Sequence, residues 1–191
     1  MSNRIEKSAF DDVTNRQLFT LELSAPNDIA IIDVGSPHFC CLIAWDASES
    51  SVEDVSALID PLIKAGCVYF VCWGPSCEWV HDIIDESTLD TEGVVMTTWH
   101  SDESLEGSLW YFLNVTWPDE EFEETFKASI GITIGSNEWT SEVKAALSNP
   151  RGFSKMVLEK EEMVKISMEA RSPFTKLKQW FAKDKGPLTE K

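Results

Sequence analysis

Two side chains capable of covalent chemistry stand at the ends of apolar runs. Cys77 opens a helical pattern, where the helix dipole lowers a thiol's pKa, and His100 follows the run Gly93–Trp99. A thiolate with an imidazole as base, the imidazole oriented by Asp46 or Asp102, would make a nucleophilic enzyme or ligand-binding edge if the fold brings them together. The spacing itself carries no signature: GxGxxG, Walker A and GxSxG glycine patterns are absent, which counts against nucleotide cradles and the hydrolase elbow. Cys72 and Cys77 lack a second cysteine pair or clustered histidines, so neither a metal nor a cofactor is expected. His81 reads as a partly buried helical residue and His38 as a turn residue. Cys40, Cys41 and Cys67 lie within apolar runs, and five irregularly spaced cysteines do not form a disulfide framework. They are expected as reduced core thiols.

Elements that would position these groups alternate along the chain. Continuous apolar runs at Phe39–Trp45, Cys67–Trp73, Gly93–Trp99 and Ala128–Ile134 fit strands buried on both faces. Between them lie helical patterns. Ser50 and Glu53 match a capping box ahead of Val52, Val55, Leu58, Ile59 and Leu62, with Pro61 inside and Gly66 as stop. Ser76 caps a second helix, Asp102–Trp117 reads as a third, and Ser136 precedes a fourth near Glu138–Leu147. Strands separated by helices give parallel βαβ units, and the expected fold is α/β: a three-layer, mostly parallel open sheet of Rossmann-like or flavodoxin-like type with a C-terminal helical tail. Ile29–Val34 is expected as a further strand, antiparallel or at an edge, and residues 5–24 show a faint helical pattern. Lys155–Ala170 and Thr175–Lys183 give amphipathic helical patterns separated by Arg171-Ser172-Pro173. The organisation is thus an N-terminal segment 1–27, an α/β domain 28–150 and a tail 151–191.

Ligands of open α/β sheets bind beyond the carboxyl ends of the strands. Here those ends read Trp45-Asp46, Trp73-Gly74-Pro75-Ser76, Trp99-His100-Ser101-Asp102 and Gly135-Ser136. In register, Trp45, Trp73 and Trp99 with Asp46, Ser76 and Ser136 would form an aromatic-lined edge where helix N-termini hold an anionic group. Capping accounts equally for each of the polar residues.

Charge separates the chain into two parts. Of a formal net charge of -17, residues 1–150 hold 27 acidic and 6 basic side chains, and 151–191 hold 6 and 10. Nucleic acid is excluded as a main partner, because phosphate binding needs clustered lysine and arginine. With eight Trp and ten Phe the body can bury a core. No run approaches ~18 apolar residues and the start lacks a signal-peptide core, so a cytoplasmic protein with no integral membrane segment is expected. Asp119, Glu120, Glu121, Glu123 and Glu124 surround Phe122. This run is either a solvated loop or a docking patch with Phe122 as apolar anchor. The tail, with Met156, Val157, Leu177, Trp180 and Phe181 among lysines, has three possible docks: the chain's own acidic body, a second subunit in a homodimer, or an anionic membrane surface.

The segment Val95-Met96-Thr97-Thr98-Trp99-His100, with the acidic stretch and Leu109-Trp110-Tyr111-Phe112 after it, resembles a family of small uncharacterised bacterial α/β proteins. Trp73-Gly74-Pro75-Ser76-Cys77 is similar to that family's W-G-x-x-C turn. The likeness spans roughly residues 28–147 and implies a shared edge of Trp73, Gly74, Cys77, Trp99 and His100, with no activity attached. From the residues themselves, two functions are expected. The first is a non-enzymatic acidic protein that binds or inhibits a basic partner, as an immunity, antitoxin or defence-accessory protein would. The alternative is a small enzyme or ligand sensor using Cys77, His100, Asp46 and Asp102.

Overall fold

A computed structural model describes residues 4–89, 91 and 93–171, with side chains as far as 165. It is α/β, and the described residues form a six-stranded sheet and five α-helices. In chain order these are β1 (Glu6–Asp11), β2 (Arg16–Leu23), β3 (His38–Trp45), α1 (Val52–Lys64), β4 (Cys67–Trp73), α2 (Cys77–Thr88), β5 (Met96–Trp99), α3 (Leu105–Asn114), β6 (Phe126–Ile134), α4 (Asn137–Ser148) and α5 (Pro150–Arg171). The strand order is β1-β2-β6-β3-β4-β5, and every pair is parallel except β1 with β2. The described residues up to Ser154 form one compact unit and those from Lys155 onward another. Within the second unit, residues 155–171 are helical and Lys155 pairs with Glu159 one turn on. Among the described residues no helix is long and apolar enough to cross a membrane. The segment Thr175–Lys183 lies outside the described residues.

Side-chain alternation along β3 builds the core. Phe39, Cys41, Ile43 and Trp45 pack with Val55, Leu58 and Leu62 of α1 and Val80 and Ile84 of α2. Cys40, Leu42 and Ala44 pack instead with Leu109 and Phe112 of α3 and Val143 and Leu147 of α4. A strand buried on both faces has to be apolar throughout, which is why FCCLIAW shows no polar alternation.

The N-terminal third departs from expectation. Residues 5–24 form a β-hairpin: the burial of Arg16, Leu18 and Thr20 has a period of two, and Asn15 takes the left-handed conformation of the turn at φ 56°. Leu18 is buried on the α3–α4 side of the sheet and Leu21 and Leu23 on the α1–α2 side, so the apolar residues of β2 show no strand alternation. Ile29–Val34 is not a strand. Ile32 and Val34 are buried against the α1 side of the sheet while Ile31 is exposed, and β6 and β4 occupy both sides of β3, so this segment cannot pair with the strand that follows it.

Boundaries elsewhere move by a few residues. The capping box of α1 is Ser51 with Asp54, not Ser50 with Glu53, each side chain bonding the other's backbone N–H. This places Val52 outside the buried stripe. β5 begins at Met96 rather than Gly93, because the Val94 N–H is taken by the Glu121 carboxylate. The third helix runs Leu105–Asn114, capped by Ser104 at the Gly107 N–H. Ser136 caps α4 as expected, accepting from the Trp139 N–H.

One buried residue ties these elements together. Arg16, at 1% exposure, donates to the carbonyls of Leu113 and Thr116 at the C-terminal end of α3 and to the hydroxyls of Thr116 and Ser129. Its guanidinium also lies over the rings of Trp117 and Phe126, at 5.5 and 5.4 Å. Among the described residues none of these hydrogen-bond partners is a carboxylate; the compensation comes from the negative end of a helix and from aromatic faces. Arg16→Ala is expected to lower unfolding free energy by about 3 kcal/mol or more, since several charge-assisted bonds leave buried acceptors behind. Arg16→Lys should restore less than half of that loss, because an ammonium cannot fork to both carbonyls. Urea denaturation of the three chains checks this.

Candidate functional site

The carboxyl ends of β4 and β5 flank a change of side: β4 leads into α2 on one face and β5 into α3 on the other, the arrangement that opens crevices in α/β sheets. The turn after β4 is set by Gly74. A Cβ there would lie 2.3 Å from the Trp45 carbonyl oxygen, and its φ of +115° independently requires glycine. That approach lets the Pro75 carbonyl accept from the Ala47 N–H at 3.1 Å. Ser76 occupies the position before α2 but is left-handed (φ 62°), so its hydroxyl does not cap the helix as expected.

The three strand-end indoles do not line a common pocket. Trp45 is buried in the α1–α2 core. Trp73 packs toward the other face, edge-to-face with Trp139 at 5.1 Å, and its Nε1 donates to the Glu103 carbonyl at 2.9 Å. Trp99 is 45% exposed and stacks on His81 of α2 at 4.5 Å. Asp46 is exposed, its Oδ1 accepting from the Ser48 N–H in a tight turn.

Strand alternation also separates Cys77 from His100. Thr97 bonds Asp85 of α2 and Trp99 stacks on α2, so Thr98 and His100 point to the opposite face, where His100 meets Tyr111 of α3 at 4.5 Å. Cys77 is buried in the α1–α2 core. The thiol and imidazole therefore do not pair. His100 has other partners: Nδ1 lies 3.0 Å from Glu103 Oε2, and Nε2 lies 3.3 Å from Thr98 Oγ1. Glu103, not the exposed Asp102, is the carboxylate that orients the ring. Tyr69 and Tyr111 continue the network through hydroxyls 3.0 Å apart, and burial, reinforced by Tyr111, pushes the Tyr69 phenol up. Glu103 and Thr98 went unrecognised in the sequence, although 98 and 100 share a strand face and 103 lies one turn beyond.

The acidic run is built into the fold. Phe122 is 8% exposed, packs in the α3–α4 core and contacts His38 at 4.5 Å, so it does not serve as a surface anchor; the core claims it before a partner can. Asp119 accepts from the Glu121 N–H, and Glu121 Oε1 holds the Val94 N–H at 3.1 Å. Glu120, Glu123 and Glu124 remain exposed.

All five cysteines are free and buried, and among the described residues no group of three or more His, Cys, Asp or Glu side chains is placed to hold a metal. Burial pushes the Cys40, Cys41 and Cys72 thiols up from an ordinary value of 9.0, Arg16 partly offsetting this at Cys40. The folded chain thus keeps these protons where the unfolded chain releases them. Stability is present below the unfolded thiol pKa and falls as pH rises past it, by about 1.4 kcal/mol per thiol per pH unit. Urea midpoints measured from pH 8 to 10.5 should fall accordingly, and Cys72→Ala should flatten the slope; an unchanged slope would show that these thiols ionise in the folded chain.

No curated protein matches the chain. A family model described as "Domain of unknown function (DUF7684)" matches residues 18–150, taking in most of β2 and the whole of β3 to α4. The chain belongs to that DUF7684 family.

Proposed function

We propose that this is a non-enzymatic interaction protein whose acidic body binds or inhibits a basic partner protein. The observation that carries the reading is the distribution of charge: residues 65–126 contain fourteen acidic side chains and no lysine or arginine. A surface of one sign accelerates encounter with a surface of the other and suppresses wrong partners. The placement of Cys77 and His100 on opposite faces weighs against the alternative of a thiol enzyme at the strand ends. The same reading takes the sheet as a three-layer Rossmann-type arrangement, supported by the division of helix contacts between the two faces of β3. It assigns the protein to the cytoplasm, for which five reduced thiols are the support.

The test neutralises exposed carboxylates that have no part in packing: Glu120→Gln, Glu123→Gln, Glu124→Gln and Asp102→Asn in one chain. Proteins captured by the parent chain from its native cells should be basic, and the neutralised chain should associate with the isolated partner about tenfold more slowly, with a shallower salt dependence. Unchanged rate and salt dependence would remove the reading.

A further inference from the structure

The sheet has two edges, and they are built differently. At the β1 edge, Glu6, Lys7 and Asp11 put charge along the strand and a bulge between Lys7 and Phe10 breaks its register. These are the devices that keep an edge from pairing with a further strand. The β5 edge, four residues long, has neither the charges nor the bulge. Met96-Thr97-Thr98-Trp99 carries no charge and no proline, and Val94, Met96 and Trp99 are 53%, 38% and 45% exposed.

The backbone at this edge is presented outward. The His100 N–H donates to the Cys72 carbonyl, and parallel ladders engage alternate residues, so Met96 and Thr98 also turn to β4. Thr97 and Trp99 accordingly turn their N–H and C=O groups away from the sheet. The chemistry around the edge is uniformly anionic: Asp82, Asp85 and Glu86 of α2 are exposed beside it, Asp102 and Glu103 beyond its end.

We infer that β5 is the docking edge for an extended, basic segment of a partner protein, which adds to the sheet as a seventh strand. Main-chain bonds to Thr97 and Trp99 fix its register, Met96 and Trp99 contact its apolar residues, and the surrounding carboxylates meet its lysines or arginines. A second copy of this chain is disfavoured, because self-pairing sets two identical anionic flanks against each other. The inference rests on the basic-partner reading above and specifies where and how that partner binds.

The probe is acetyl-Lys-Val-Lys-Val-Lys-Val-Lys-amide, compared with the same peptide N-methylated at alternate residues, which keeps charge and side chains but cannot donate along one edge. Titration calorimetry with the full chain should give binding of the first peptide at least tenfold tighter than the second. Thr97→Pro, which removes the outward N–H together with the Thr97–Asp85 side-chain bond and is compatible with an edge position, should abolish the difference, as should the gatekeeper Met96→Lys, which keeps that bond. Thermal unfolding of both variants establishes that they are folded. Equal binding of the two peptides, unaffected by Thr97→Pro, overturns strand addition while leaving the basic-partner reading intact; no binding of either overturns both. A dimer in sedimentation equilibrium that Thr97→Pro dissociates gives the edge to a second copy and overturns the inference. So does a synthetic peptide of residues 172–191 that binds more tightly than the Lys-Val peptide and is lost in Thr97→Pro, since the chain then supplies its own strand.

Discussion

A buried guanidinium with no carboxylate among its described hydrogen-bond partners is the constraint on which much of this fold depends. Arg16 begins β2, reaches the end of α3 through Leu113 and Thr116, touches Ser129 of β6 and lies under Trp117 and Phe126. Leaving the charge unpaired in a low-dielectric interior would be prohibitive. The carbonyl end of α3 must therefore stop where it does, β6 must offer a hydroxyl at Ser129, and the hairpin must pair with β6 so that Arg16 enters from that side. The same bonds tie β2 to the end of α3 and to β6, the two elements that the α3-to-β6 crossover joins.

Much of this was legible in the residues because burial on both faces demands unbroken apolar runs, and those runs mark β3, β4 and β6 directly. Helix α4 could be read from Ser136 ahead of it and α1 from its apolar stripe, with its cap misplaced by one residue to Ser50, while the third helix was read without its Ser104 cap. The hairpin was not legible for a specific reason: Leu18 and the pair Leu21 and Leu23 are buried on opposite faces of β2, and the residue that starts the buried alternation is an arginine, which no apolar pattern counts. Ile29–Val34 misled in the opposite direction, having strand composition while both sides of the adjoining β3 are taken by β6 and β4. Ladder partners belong to the whole sheet and leave no mark on a six-residue window.

Strand parity explains the fate of the proposed catalytic pair. Residues one apart on a strand point to opposite faces, and Trp99 facing α2 obliges His100 to face α3. Once that holds, Cys77 at the start of α2 is out of reach, and the imidazole's partners are drawn from its own face: Thr98 two residues back and Glu103 in the following turn. The Trp-Gly turn has a similarly local cause. Gly74 stands where it does because the Trp45 carbonyl passes too close for a side chain, so the strand-end motif records a backbone approach. The buried Phe122 makes the same point for the acidic run, whose carboxylates are divided between solvent and the support of the β5 entry.

The unequal edges also bear on polymerisation. Open-ended growth of a sheet from identical units needs two adhesive ends, one to receive and one to offer. Here the bulged, charged β1 strand is a blunt terminus, so whatever joins at β5 meets a unit that cannot pass the contact onward. With β1 closed in this way, strand addition at β5 has no second edge of the sheet through which to propagate.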